Sequence, residues 1–223
     1  MHRTRLSLLI PLAALAGASA LAHAEGATVG VSAGTRALNL ELGYSFNPSF
    51  GVRAVGTDLS PSYETSKDDV KYKGKLNLKS VSLLGDFYPM QGAFRITAGA
   101  VFNHDTFTGH AVSENGFVII NGVPYPVSSD DSVQAKATYP NDVMPYLGIG
   151  WGNPSFHKQG VGFTADLGAI YTDHAHATLT ATGPDAANPT LLAALQQEQD
   201  RLNHDLHKVS VYPVASVGVY YGF

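Results

Sequence analysis

The sequence predicts an all-β fold, a closed antiparallel up-and-down barrel of eight strands that crosses a membrane. Three observations lead to this prediction: many segments alternate apolar with small or polar residues, short and long connections alternate along the chain, and the N-terminus resembles an export signal. One short extracellular helix is predicted before the last strand. A barrel of this kind turns its apolar face to lipid and keeps the other face inside.

The N-terminus has the three parts of a secretory signal peptide. Arg3 and Arg5 precede a short apolar core, and the small-x-small sequence AHA ends at Ala24. We therefore expect cleavage near Ala24, with a signal peptide over 1–24 and a barrel domain over 25–223. The apolar core is short for a permanent helical anchor, so the chain is expected to be exported without one.

Composition excludes several classes of function. The net charge is −4 and becomes more negative once the two arginines of the signal are removed, which argues against a nucleic-acid partner. The chain has no cysteine, so disulfides, thiolate metal sites and thiol nucleophiles are excluded.

Strand alternation is clearest in the C-terminal segment, VSVYPVASVGVYYGF. Its odd-numbered residues are all apolar, while its even-numbered residues are mostly small, polar or tyrosine. The same period of two recurs in LNLELGYSF, FRITAGAVF, VMPYLGIGW and VGFTADLGAIYT. A soluble sandwich would carry many charges on its polar side, whereas here that side is rich in Gly, Ser and Thr. Small residues fit the narrow interior of a closed barrel.

Turn signals divide the chain into strands with two kinds of connection. NPSF, PMQG and a second NPSF mark short turns, whereas the polar stretches at about 61–70, 112–131 and 182–206 are expected to be long outer loops. The predicted strands cover residues 26–33, 36–46, 51–60, 71–88, 93–111, 131–152, 160–182 and 207–223. Aromatic residues predicted to form a girdle at the short-turn end are Tyr44, Phe46, Phe50, Phe87, Tyr88, Phe94, Trp151, Phe156, Phe163, Tyr221 and Phe223.

Three segments carry a family resemblance. FRITAGAVFNHDTF, PYLGIGWGN and VSVYPVASVGVYYGF resemble, in pattern, the small proteobacterial outer-membrane barrels related to the OmpA transmembrane domain and to OmpW. The resemblance implies an outer-membrane location and families that include structural anchors, narrow channels and adhesins. It also implies that the outer-membrane assembly machinery recognises the last strand through Val217, Val219, Tyr221 and Phe223.

Charged residues on the predicted inner face form the first candidate site. The five are Glu41, Arg53, Asp86, Arg95 and Asp166. Counting back from the PMQG turn makes Asp86 and Arg95 cross-strand partners, and pairing is expected because an unpaired charge in a narrow interior is costly. The cluster is either a gate for small solutes or a salt-bridged plug, and the plug is favoured because eight strands leave room only for side chains.

A second, polar cluster is predicted at the rim. Asp105, His174 and His176 share the inward parity, and two histidines at i and i+2 could bind a metal or transfer a proton. Ser113 is a nearby hydroxyl, but no spacing marks it as a nucleophile. A polar rim lining is the favoured interpretation, and neither a metal nor a cofactor is predicted.

The outer segments contain a helix, a hairpin and a run of lysines. Asn188 and Pro189 begin a helix whose leucine stripe (Leu191, Leu195, Leu202 and Leu206) either packs on the rim or binds a partner. Asn121-Gly122 predicts a tight hairpin. Five lysines near the outer end of one hairpin either contact lipopolysaccharide phosphates or form a solvated rim; they are Lys67, Lys71, Lys73, Lys75 and Lys79. Pro145 and Pro213 predict bulges within strands.

Together the residues predict a monomeric outer-membrane barrel with a structural or narrow small-solute channel role and no catalysis. The alternatives are a surface-binding or adhesion protein that acts through its outer loops and, less favoured, a barrel enzyme that uses His104, Asp105, His174 and His176. The predicted partners are outer-membrane lipid, lipopolysaccharide and the assembly machinery.

Overall fold

The computed structural model describes residues 26–60, 62–67, 70–113, 117–120, 123–126, 131–152, 159–208 and 210–223. The predicted signal peptide and the cleavage site at Ala24 lie outside these ranges. The described strands and helix are β1 (Ala27–Gly34), β2 (Ala37–Asn47), β3 (Phe50–Leu59), β4 (Ser62–Lys67), β5 (Val70–Phe87), β6 (Phe94–Asn103), β7 (Thr106–Ser113), β8 (Phe117–Ile120), β9 (Val123–Pro126), β10 (Ser132–Thr138), β11 (Val143–Trp151), β12 (Gly160–Tyr171), β13 (His176–Thr182), α1 (Pro189–Leu206) and β14 (Val211–Gly222).

Eight of these strands close into an antiparallel barrel, as the alternation predicted. Around the ring the order is β1, β2, β3, the lower half of β5, β6, β11, β12 and β14, and β14 pairs with β1 to complete the circle. The predicted break between the first two strands is confirmed, since residues 35–36 form the turn between β1 and β2.

A second sheet rises from one side of the barrel at the end opposite the short turns. The upper half of β5 pairs with β4 and β7, and β10 pairs with β7 and β13, so that the order is β4-β5-β7-β10-β13. We call this five-stranded sheet the outer wall. Three predicted long strands are therefore wrong as single strands, because 93–111, 131–152 and 160–182 each divide at the rim. The stretch predicted as a loop at 61–70 contains β4 instead.

The two faces of the barrel wall differ as expected for a membrane-spanning barrel. In β12, Phe163 is 78% exposed and Leu167 is 60% exposed, whereas Thr164 and Asp166, on the opposite face, are buried. Aromatic side chains pair at the short-turn end: Phe50 stacks on Phe87, and edge-on pairs join Tyr44 to Phe46, Phe94 to Trp151 and Tyr221 to Phe223. Tyr88 was wrongly predicted to belong to this girdle, because it is only 2% exposed. Phe156 lies outside the described residues.

The helix α1 is confirmed before the last strand and packs on the outer wall. The Asn188 side chain accepts a hydrogen bond from the Thr190 backbone N–H at 3.0 Å, which is an N-cap. Leu191 and Leu195 are buried against β10 and β13, whereas Leu202 is 36% exposed. None of the helices in the described ranges is long and apolar enough to span a membrane.

The side chains of α1 also satisfy the backbone of β13, which is one edge of the outer wall. Asn203 accepts from the Ala177 N–H at 2.8 Å and donates to the Ala177 carbonyl at 3.1 Å. Gln199 accepts from the Leu179 N–H at 2.9 Å. The helix thus takes the place of a neighbouring strand and covers this sheet edge.

The prolines and the predicted hairpin have local explanations. The register around Pro145 and Pro213 shows no shift, so the predicted bulges are wrong. Each proline lies where its strand has lost one neighbour: β11 pairs with β12 only from Tyr146 onward, and β1 reaches β14 only as far as Ser216. β8 and β9 form the expected hairpin, although Asn121 and Gly122 themselves lie outside the described residues.

Candidate functional site

The five predicted charged residues meet inside the lower half of the barrel, and we call them the charged layer. Arg53 lies at the centre. Its Nε is 2.6 Å from Asp86 Oδ2, its Nη1 is 3.2 Å from Glu41 Oε2, and its Nη2 is 3.1 Å from Asp166 Oδ1. Because β3 and β12 lie on opposite sides of the eight-stranded ring, the Arg53–Asp166 pair crosses the lumen. One guanidinium therefore joins β3 to three other strands of the wall, β2, β5 and β12.

Arg95 completes the charged layer from β6. Its Nη2 is 2.7 Å from Asp166 Oδ1 and 2.7 Å from Thr164 Oγ1, and its Nη1 donates to the Gly152 carbonyl. Arg95 is 0% exposed, and Asp86 is 3% exposed. Buried ions need such multiple partners, because a single lost partner leaves an uncompensated charge in a medium of low dielectric constant.

The pairing of Asp86 with Arg95 is less direct than the turn count predicted. In the observed register Asp86 lies opposite Thr97, which donates to Asp86 Oδ1 at 2.6 Å. Arg95 Nε is 3.7 Å from the same Asp86 oxygen. The predicted register was wrong by two residues because the chain around the PMQG turn extends beyond the last strand pair, Phe87 with Ile96.

Gly150 on β11 provides the space for this cluster. A Cβ placed at this position would lie 2.6 Å from Arg95 Nε and 2.7 Å from Asp166 Oδ1. Any larger residue would therefore displace the Arg95–Asp166 pair. The glycines of the inner face are part of the site, because they admit long side chains from neighbouring strands.

Above the charged layer lies an apolar layer that sequence reasoning missed. Its residues are Leu84, Val101, Met144, Tyr146 and Ile170, all at most 8% exposed. A signal was present, because Leu84 shares the face of Asp86 two residues away, and Ile170 shares the face of Asp166. The sequence prediction describes the inner face by its small and charged residues alone, although strand parity places these five apolar residues inside as well.

A cavity of about 50 Å³ runs beside both layers, and its lining extends from Arg36 at the upper end of the lumen to Glu41 and Arg53 in the charged layer. This volume holds only a few water molecules. Within the described residues, two successive layers of side chains thus occupy most of the lumen.

The upper end of the lumen is bridged by a residue that was not predicted. Arg36, in the β1–β2 turn, donates from Nη2 to Asp105 Oδ2 at 3.0 Å and to Asn103 Oδ1 at 3.1 Å. Asp105 also accepts from the Lys79 backbone N–H at 2.8 Å. Burial raises the pKa of the Asp105 carboxyl above its usual range, although Arg36 and the Lys79 N–H act in the opposite direction. Arg36 could not be predicted as part of a site, because a single arginine in a two-residue turn belongs to no periodic pattern.

The predicted rim cluster divides into two separate sets of contacts. Asp105 belongs to the Arg36 bridge, whereas the ring of His174 stacks on that of His207 at 4.4 Å between centroids, and His176 approaches His207 edge-on at 6.1 Å. His174 Nδ1 is 3.3 Å from Asp173 Oδ1. Across the described ranges, no group of three or more His, Asp or Glu side chains has a geometry that could hold a metal ion. The Ser113 side chain lies outside what the structure describes.

Three of the four residues of the predicted assembly signal lie on the closing strand, and the fourth follows it directly. Val217, Val219 and Tyr221 are 66%, 40% and 42% exposed on the lipid side of β14. Phe223 follows the strand, and its backbone N–H donates to the Ala27 carbonyl at 3.0 Å. These residues therefore sit at the seam between the last and first strands, and their recognition by assembly machinery stays a prediction.

Comparison with known proteins supports the fold. No protein-family model matches this chain, and no curated protein matches it. Among solved structures it is similar to Acinetobacter baumannii CarO, with a TM-score of 0.60 and 19% identity over 90% of this chain and 98% of CarO. It is similar also to Acinetobacter baumannii CarO2, with a TM-score of 0.60 and 20% identity over 88% of this chain and 98% of CarO2. These similarities confirm the barrel architecture and do not test the narrower resemblance to OmpA and OmpW.

Proposed function

We propose that this protein is a monomeric outer-membrane barrel with a structural role, which holds the outer wall at the cell surface. The lipid-facing belt and the predicted signal peptide support the outer-membrane location. The observation that carries the structural role is the filled lumen, in which the charged layer and the apolar layer stand in series. A narrow channel for small solutes is the competing role, and it requires both layers to move.

Planar-bilayer recording of the purified protein tests this role. We expect no conductance steps above the baseline, and we expect the same for Tyr146→Ala, because the charged layer still closes the barrel in that variant. Heat-dependent migration of the same sample on a gel verifies that folded barrel was added. Regular steps from the wild-type protein would contradict the structural role and favour the narrow channel.

Surface binding is a second candidate, and the outer wall supports it. Strands β4, β7, β10 and β13 extend the barrel beyond its rim, and α1 stabilises one edge of this sheet. An open sheet above the membrane offers a broad surface to a ligand. The enzyme reading has less support, because the contacts of Asp105 and those of the two histidines form separate sets.

A further inference from the structure

The outer face of the outer wall continues the lipid-facing face of the barrel. β5 is one unbroken strand, so its odd-numbered residues share a face along its whole length. In the lower half that face carries Val81 and Leu83, which are 52% and 54% exposed. Above them the same face carries three exposed lysines: Lys79 at the rim of the barrel, and Lys75 and Lys73 in the upper half of β5. The change from apolar to basic residues therefore occurs along one face of one strand.

The height of this change matches the edge of a bilayer. An apolar band about 25 Å tall, crossed by a strand tilted by roughly 40° that rises about 3.3 Å per residue, takes up about ten residues. Counted upward from Phe87 at the short-turn end, that band ends near residue 77, so Lys79 lies at its upper edge and its long side chain carries the ammonium group toward the headgroups. Lys75 thus lies at the level of the lipid headgroups, just above the boundary.

A row of hydroxyls and two lysines crosses the outer wall at this level. The register aligns Ser62 with Lys75, Lys75 with Thr108, Thr108 with Lys136, and Lys136 with Thr178. We call these five residues the lysine row. Directly paired residues of an antiparallel sheet share a face, so both ammonium groups and the three hydroxyls point outward. Lys75 and Lys136 are two strands apart, or about 10 Å, with Thr108 between them.

The two lysines of this row differ in charge balance from Lys73 and Lys208, each of which has a carboxylate partner. Lys73 is 3.2 Å from Glu64, and Lys208 in the segment after α1 is 2.9 Å from Asp205. In the part of the chain that the structure describes, neither Lys75 nor Lys136 has a carboxylate within 4.0 Å. Two uncompensated cations and intervening hydroxyl donors suit a phosphate group.

We propose that the lysine row binds the phosphate groups of outer-leaflet glycolipid, the phosphorylated lipid A of lipopolysaccharide. This proposal rests on the proposed outer-membrane location, because only there does the row face such a lipid. The acyl chains would lie along the apolar face below, beside Val81 and Leu83. The sequence alone does not decide whether the lysines of β5 contact lipid or form a solvated rim, and it does not connect Lys136 with them.

Titration of the purified full-length barrel with phosphorylated lipid A, followed by native mass spectrometry, tests the proposal. The double variant Lys75→Gln/Lys136→Gln is expected to bind roughly tenfold or more weakly, given the attraction of each lysine near an anionic surface. The matched control Lys73→Gln/Lys208→Gln removes the same charge from lysines that already have partners, and it is expected to bind within about threefold of wild type. Lys75→Arg/Lys136→Arg should bind like wild type.

Two further ligands separate the sources of the phosphate. Lipid A without its phosphates is expected to bind wild type and the Lys75/Lys136 double variant equally. Inorganic phosphate at millimolar concentration is expected not to displace the phosphorylated lipid, and displacement would overturn the assignment to lipid. Equal loss of affinity in both glutamine variants, or no loss in either, would overturn the proposed site.

The heat-dependent gel shift distinguishes failure of this inference from failure of the proposed function. A wild-type protein without the shift would contradict the barrel in the membrane. A normal shift in every variant, together with unchanged affinity for phosphorylated lipid A, would contradict the lysine row alone. The substitutions change only exposed side chains, so the shift is expected to persist in all of them.

Discussion

The barrel and the outer wall solve the same problem, unpaired strand edges, in different ways. The barrel has no edge because β14 pairs with β1 around the ring. The outer wall is an open sheet whose β13 edge is covered by the side chains of Asn203 and Gln199 in α1. Closure is required in lipid, where water cannot satisfy a backbone group, whereas an open sheet is allowed in water.

The barrel and the outer wall also differ in the side chains that they bury. Inside the barrel, buried charges contact one another, and each has several partners, as Arg53 shows with three carboxylates. Against the outer wall, α1 buries only Leu191 and Leu195. We therefore expect that the loss of a contact inside the barrel destabilises all eight strands. The loss of a contact at the outer wall is expected to destabilise only the neighbouring strands.

The largest effect is expected from removal of the carboxylate that joins both arginines. Asp166→Ala removes the carboxylate that hydrogen-bonds both Arg53 and Arg95, and breaking a buried ion pair in this way costs about 3–5 kcal/mol. The barrel is therefore expected to lose its heat-dependent gel shift at a lower temperature and a lower urea concentration. The matched control is Asp58→Ala, an exposed carboxylate on the outer face of β3, for which a change of less than about 1 kcal/mol is expected. Equal stability of the two variants would show that the charged layer does not hold the ring together.

A smaller and local effect is expected at the edge of the outer wall. Asn203→Ala removes both hydrogen bonds to Ala177, and each is worth about 1 kcal/mol. Hydrogen exchange at the amides of β13 is expected to become faster, while the amides of β12 keep their protection. Gln197→Ala, on the exposed side of α1, is the control and should leave β13 unchanged. Faster exchange throughout the barrel would contradict the separation of the two regions.

Sequence reasoning predicted the barrel well because lipid imposes a strong contrast between two faces. Each membrane strand shows this contrast, and the break near residues 35–36 is predicted from the even number of strands that such a barrel contains. The outer wall was predicted less well, because a sheet with water on one side needs a weaker alternation of apolar and polar residues along its strands. The alternation therefore predicts β7 and β10 as continuations of β6 and β11, and the sequence predicts a loop where β4 lies.

The candidate site was partly predictable for a related reason. The five charges of the charged layer are rare among small residues, so each stands out from its strand. Tyr146 and Ile170 do not stand out, because an apolar residue in a membrane strand is expected on the lipid side. Arg36 depends on a contact between distant segments, the β1–β2 turn and the end of β6, which no local pattern records.

Accessibility of single cysteines along β5 tests the central claim, a lumen filled with side chains inside a lipid-facing wall. The chain has no native cysteine, so Ser80→Cys, Val81→Cys, Ser82→Cys and Leu83→Cys each give one site for a nitroxide spin label or a water-soluble thiol reagent. Spin labels at Val81 and Leu83, the exposed pair, are predicted to contact lipid-dissolved oxygen in liposomes. Thiols at Ser80 and Ser82, which are 5% and 9% exposed, are predicted to resist the water-soluble reagent. Rapid modification at Ser82 would contradict the filled lumen, and equal oxygen contact at all four positions would contradict the barrel face.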